Sequence, residues 1–340
     1  MVMKRIYPIL FALAAALAFV SCRKVEQLNP ESVITLDQRT QNDFDKWLDA
    51  NYVTPYNILV KYRYESNESD LNYYTVPARL DCSIQMAHLV KYLCIDTYDE
   101  VGGVRFTQKY FPKEFFYIGE WEYKNNGTYI LGTAEGGKKI LLSGLNYLPQ
   151  ILTGGYQGYH DPAAALNHFY IKTIHHEFTH ILNQTKDFPV EFTQVTPTAY
   201  VTESWNTTAY GTYYRQRGFL STYSQHSDRE DFAEVLSLYV TNTEETLQGW
   251  LEDARREVTE DDTDKDKNKN HIDEFRASFP DLEAGEHFSG DELILAKIAQ
   301  VRKYMADTFN IDIDQLRDAV LRRQAEVMAG EVDLTSLEVN

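Results

Sequence analysis

The sequence predicts an α+β fold: a small, mainly antiparallel sheet followed by helices. Two observations carry this expectation. Between residues 115 and 142, short β-rich runs alternate with turn signals, and from His160 onward apolar residues recur at helical spacing. The 340 residues are 43% hydrophobic and 25% charged, apolar enough for a real core, and no fixed period divides them into repeats.

Residues 1–21 read as a signal peptide. Lys4 and Arg5 form a basic start, and residues 6–20 are an apolar stretch, broken by Pro8, that runs into Ser21-Cys22. The stretch falls short of the about 20 apolar residues of a membrane-spanning helix. It resembles a bacterial lipoprotein signal, which implies lipid attachment at Cys22, with Phe19 standing where leucine is usual. Cleavage there removes Lys4 and Arg5 and no acid, so the formal charge of -18 becomes -20. Asp+Glu outnumber Lys+Arg 51 to 33, which excludes a nucleic-acid partner held through its phosphates. Residues 22–37 are polar and read as a tether. Its start, Arg23-Lys24-Val25-Glu26, has no acidic run, so orientations facing the periplasm and the cell surface both stay open.

Residues 38–110 read as an N-terminal helical part. Phe44, Trp47, Leu48, Tyr52 and Tyr56 suggest an amphipathic helix over residues 37–62, interrupted near Pro55, and a second helical run spans residues 76–95. Cys82 and Cys94 lie in that run. Twelve residues at a rise of about 1.5 Å separate them by about 18 Å, beyond disulfide reach, so both are expected as buried thiols.

Residues 111–257 form the central part. Strands are expected at 115–118, 127–131 and 139–142, divided by Asn125-Asn126-Gly127 and Gly136-Gly137. Asp161 as N-cap and Pro162 in the first turn then start a long helix through Leu166, Phe169, Ile174, Phe178 and Leu182. Two further helices follow at 230–240 and 244–255. Residues 258–290 are a charged loop region. Its Asp262, Asp264, Asp266 and Asn268 resemble alternating calcium ligands, but the glycine and glutamate of such a loop are out of register, which favours a solvated loop for 261–270. Residues 291–340 carry C-terminal helices at 291–309 and 314–328.

The chemistry is concentrated in His175-His176-Glu177-Phe178-Thr179-His180, which contains HExxH. Side chains four apart on a helix share a face, so His176 and His180 can converge on one zinc ion, while Glu177 can take a proton from water at its open position. His175 points elsewhere and reads as structural. A three-histidine site of the HExxHxxGxxH type is excluded by Asn183 and Lys186. The third ligand should be a carboxylate from a later helix. Glu230 and Glu234, four apart in Ser227-Asp228-Arg229-Glu230-Asp231-Phe232-Ala233-Glu234, are the candidates, with Glu230 preferred.

HHEFTH followed by YSQHSDREDFAE resembles the gluzincin metallopeptidases related to anthrax lethal factor. In that family HExxH is followed by a tyrosine and, seven residues on, by a carboxylate opening an E-x-F-A-E string. Asp231 departs from the aromatic residue usual at its position. The resemblance covers residues 160–240 and implies a zincin-like fold, one Zn2+ on His176, His180 and Glu230, Tyr223 supporting the oxyanion, and Glu234 orienting a histidine ligand. Tyr200, Tyr210, Tyr213 and Tyr214 are nearby alternatives to Tyr223. With its signal, the whole chain also resembles the zinc metallohydrolase lipoproteins of Bacteroides-type bacteria that accompany TonB-dependent nutrient import. That implies a peptide or protein substrate and an outer-membrane location. The competing expectation is a non-catalytic lipoprotein that binds glycan or peptide for such a system, and hydrolysis of another amide is a third.

Overall fold

Asn42 caps the first helix: its side chain accepts from the Asp45 N–H, and the Asp45 carboxylate accepts from the Asn42 N–H. Helix α1 (Asp43–Leu48) continues through a π-helical turn (Asp49–Val53) into Thr54–Tyr56. Asn57, in a left-handed conformation at φ 54°, then turns the chain into strand β1 (Leu59–Lys61). The computed structural model describes residues 40–65, 73, 75–123, 129–135, 138–208, 210–256 and 289–339. The expected signal, Cys22, the tether through residue 37 and the 261–270 run lie outside them.

Helix α2 is Leu80–Val90 with a π-helical continuation, Lys91–Ile95, and a final stretch, Asp96–Gly102. Cys82 and Cys94 are both free and buried in it. Helix α3 (Val104–Tyr110) leads to β2 (Glu114–Tyr117), β3 (Glu122–Tyr123), β4 (Tyr129–Ile130), β5 (Gly132–Glu135) and β6 (Lys139–Leu142).

The main sheet has the order β1-β2-β6-β5, and β3 and β4 form a separate antiparallel pair. The expectation of a mainly antiparallel sheet is corrected for this main sheet: β1 pairs with β2 and β2 with β6 in parallel, and within it only β5 and β6 are antiparallel. Parallel pairing requires long crossovers, and α2 with α3 supplies the one between β1 and β2. Strand β1 also lies within the stretch expected as helix. Along β2 and β6 the side chains alternate. Phe115, Tyr117, Ile140 and Leu142 enter the main core, whereas Phe116 and Leu141 join Ile118 in a small cluster on the other face.

Helix α4 (Leu148–Leu152) precedes the long helix α5, which runs from Pro162–Leu166 through a π-helical stretch (Asn167–Ile171) into Lys172–Thr185. Its start follows from sequence, since the Asp161 carboxylate accepts from the N–H groups of Ala163 and Ala164. After α6 (Val190–Thr193) come α7 (Asp228–Thr241), α8 (Glu244–Arg255), α9 (Gly290–Phe309) and α10 (Ile313–Met328). The edge strand β5 lies against α5. A side chain at Gly132 would meet the Leu141 carbonyl and the Thr173 methyl, both at 2.8 Å, so only glycine allows this approach.

Aromatic clusters hold α5 and α7 from behind. Phe178 of α5 packs among Tyr98, Phe106 and Phe111, and Phe232 of α7 among Phe188, Phe192 and Tyr304. Such ring pairs contribute about 0.5–1.5 kcal/mol beyond the area they bury, and here they fix the facing sides of the two helices. Residues Asn42–Asn340 form one compact unit. Among the described residues no helix is long and apolar enough to cross a membrane.

Candidate metal centre

Two local signals bring three side chains together. Helical periodicity places His176 and His180 on the face of α5 that meets α7, and the Ser227 hydroxyl, accepting from the Glu230 N–H at 3.3 Å, starts α7 with Glu230 in its first turn. His176 Nε2 lies 3.0 Å from Glu230 Oε2, His180 Nε2 lies 3.2 Å from the same oxygen, and the two Nε2 atoms are 3.1 Å apart. Hydrogen bonds alone make poor use of two imidazole nitrogens and a carboxylate oxygen converging in a triangle. A tetrahedral zinc ion at about 2.0–2.2 Å from each ligand would separate them by about 3.3–3.5 Å. Two nitrogens and one oxygen at these spacings therefore fit zinc, and leave a fourth position open.

The charges agree with the geometry. Burial disfavours a protonated His176, but the Glu230 and Glu234 carboxylates outweigh it and hold the imidazole up at about 9. Burial would raise the Glu230 carboxyl, yet His176 and His180 hold it well below the usual range. A zinc ion held by His176, His180 and Glu230 would need both imidazoles neutral at Nε2, so its binding would weaken as pH falls.

Beside the triangle opens a cavity of about 220 Å³ lined by Glu177, His180 and Glu230 among others. Glu177 is half-buried and contributes no atom to the triangle. The Tyr223 ring lies 6.0 Å from that of His176, with Trp205 edge-on against it at 5.0 Å. Burial, then the charges of Glu230 and Glu177, push its phenol far above the ordinary value, so it stays a protonated donor. The alternative tyrosines are engaged elsewhere. Tyr200 donates to Asp231 Oδ2 at 3.0 Å, and arginine side chains cover the rings of Tyr210, Tyr213 and Tyr214.

Residues 37–314 match the model of a family described as "Putative zinc-binding metallo-peptidase". The chain belongs to that family. A crystal structure of a protein of the same description from Bacteroides caccae is similar to this chain with a TM-score of 0.63 and 32% sequence identity, covering 90% of this chain and 100% of that one. No curated protein matches the chain.

A second layer holds the triangle in place. Glu234, one turn beyond Glu230 on α7, puts Oε1 2.8 Å from His176 Nδ1, so the two candidate carboxylates address opposite nitrogens of one ring. Its carboxylate also pairs with Lys172 of α5 and accepts from the Ser221 hydroxyl at 2.6 Å. Burial would raise the Glu234 carboxyl, but Lys172 and His176 hold it well below the usual range. Lys172 and Ser221 are absent from the sequence reading. A helical offset of four from His176 was the available signal for Lys172, whereas nothing local marks Ser221. His175 is fully buried, its Nδ1 3.0 Å from the Tyr98 hydroxyl, and burial pulls it down to about 3, so it is a neutral core group. Lys172→Met is expected to weaken zinc binding about tenfold, at the low end for partners of metal-ligating histidines, while Lys172→Arg retains it. Competition with a chromophoric chelator measures both, and an unchanged affinity in Lys172→Met would remove the lysine from this role.

Proposed function

We propose that the chain is a zinc-dependent metallohydrolase of the gluzincin type that hydrolyses peptide bonds, binding one zinc per chain on His176, His180 and Glu230. The observation that carries this reading is the 3.0–3.2 Å triangle of Nε2, Nε2 and Oε2 atoms opening on a cavity that Glu177 also lines. When bound there, zinc supplies a Lewis acid that lowers the pKa of water from 15.7 to about 7. Glu177 accepts the proton of the attacking water and returns it to the leaving amine. The Tyr223 hydroxyl donates to the oxygen on which negative charge develops. Glu234 keeps the His176 ring turned so that Nε2 faces the centre.

A silent binding site is the weaker reading, because a closed structural site has no use for Glu177 on an open cavity. We further propose, from the resemblance of residues 1–22 to a lipoprotein signal, attachment to the outer membrane through Cys22, with a role beside TonB-dependent nutrient import. Elemental analysis of the chain from residue 23 onward tests the centre. About one zinc per chain is expected, with Glu230→Ala losing most of it, together with cleavage in a peptide library. No zinc after reconstitution would sink the enzyme reading.

A further inference from the structure

The cavity beside the triangle has a wall that the proposed chemistry leaves unused, carrying Asn183, Asp187, Phe188 and Arg229. Arg229 is the only arginine or lysine among the lining residues. It is exposed, directly precedes Glu230, and makes no side-chain hydrogen bond or ion pair with the described residues; its backbone N–H alone is engaged, by Asp228 Oδ1 at 2.8 Å. On the neighbouring helices, by contrast, Arg255, Arg302 and Arg317 each hold a carboxylate. In a chain with 51 acids against 33 bases, a guanidinium beside the site with no partner among the described residues stands out. Asn183 adds an independent sign. It lies one turn past His180, and its amide Oδ1 and Nδ2 are both enclosed without a hydrogen-bond partner. An enclosed amide with neither atom satisfied is uncommon, and a peptide offers both a donor and an acceptor.

We propose that Arg229 is a specificity-determining residue that, with Asn183, reads a carboxylate carried by the substrate residue entering this cavity next to the scissile bond. The inference rests on the peptidase reading above. A guanidinium presents two parallel N–H donors that match a carboxylate, and the Asn183 amide can turn to offer one more donor while its oxygen accepts a peptide N–H. The cavity of about 220 Å³ has room for one substrate residue, with Phe188 among its lining to meet the stem. Asp187 on the same wall opposes the preference, so Asp187→Asn should strengthen it. The carboxylate has two sources, a free C-terminus or a Glu or Asp side chain.

The test uses the zinc-loaded full chain on a peptide library with free C-termini and on the same library amidated. It also uses the zinc-loaded Glu177→Gln variant to measure binding of fluorescent peptide pairs that differ by Glu against Gln. Wild type is expected to favour acid-bearing peptides, and Arg229→Gln to lose about tenfold on those alone, with zinc content unchanged and Arg229→Lys intermediate. Loss of the preference on amidation assigns the C-terminus, and loss on Glu-to-Gln exchange assigns the side chain. An equal acid preference in wild type and Arg229→Gln, or no preference in wild type, overturns the inference while leaving the peptidase reading intact. Failure of the zinc-loaded wild type to cleave any peptide overturns that reading, and the binding pairs then decide Arg229 separately.

Discussion

Glu177→Gln is expected to lower kcat by about 10²–10⁴-fold while the protein keeps its zinc. Glutamine has the size and shape of glutamate, so the cavity that Glu177 lines with His180 and Glu230 keeps its walls. It contributes nothing to the triangle of ligand atoms, and removing its charge leaves His176, His180 and Glu230 where they are. In the proposed mechanism, what disappears is the acceptor for the proton of the attacking water. At 1.36 kcal/mol per tenfold, the loss corresponds to about 3–5 kcal/mol of transition-state stabilisation. Glu177→Asp keeps the carboxylate but draws it back by one methylene, and should fall between the two, because proton transfer demands contact at hydrogen-bond distance. Single-turnover kinetics beside elemental analysis separate chemistry from metal loss. A Glu177→Gln protein that holds zinc and retains activity within about threefold would exclude Glu177 as the base.

The residues around Glu177 were legible in the sequence to unequal depth, and the reason is distance along the chain. His176, Glu177 and His180 obey a rule local to one helix, and the Asp161-Pro162 start of that helix is equally local. Helical spacing alone leaves Glu230 and Glu234 as alternatives, and the family resemblance favours Glu230; in the structure what separates them is which nitrogen of the His176 ring each one faces, a feature of two packed helices. The sheet shows the same limit. Turn signals at 125–127 and 136–137 suggest hairpins, and β5 does pair with β6 in that way, but β1 joins β2 from across α2 and α3, and no local pattern announces a parallel neighbour. Strand β1 is also only three residues long, too short to show its period against the helical spacing that precedes it. Asp231 shows the limit most clearly. In the sequence it was a departure from an aromatic position, and its partner lies on α9, beyond the charged loop region.

That partner leads to the second large effect. Lys297→Met is expected to destabilise the protein by about 3–5 kcal/mol near neutral pH. Lys297 Nζ lies 2.7 Å from Asp231 Oδ2 with both side chains fully buried, donates to the Gly218 carbonyl at 2.8 Å, and sits 3.8 Å above the Phe219 ring. Tyr200 adds its hydroxyl to Asp231. The pair thus ties the segment leading to Tyr223 onto the first turn of α7, beside Glu230. At Gly218, with φ at 84° and Leu293 only 2.7 Å from where a Cβ would stand, the segment needs glycine to come this close to α9. Methionine fills the volume of lysine but leaves Asp231 without its cation. Burial already raises the Asp231 carboxyl against the pull of Lys297, and without the lysine it rises further. The folded state then holds a proton that the unfolded state, with an aspartate near 3.9, releases, so between those two values stability falls as pH rises, by up to 1.36 kcal/mol per pH unit. The variant should therefore be closest to wild type near pH 5 and furthest from it near pH 8. Adding Asp231→Leu removes the stranded charge and should recover much of the loss, less the cost of leaving the Tyr200 hydroxyl without its acceptor, about 1–3 kcal/mol. Denaturant unfolding of wild type, Lys297→Met, Asp231→Leu and the double variant at pH 5 and 8 measures this cycle, and a destabilisation of Lys297→Met that is small and independent of pH would mean that the ion pair does not anchor α7.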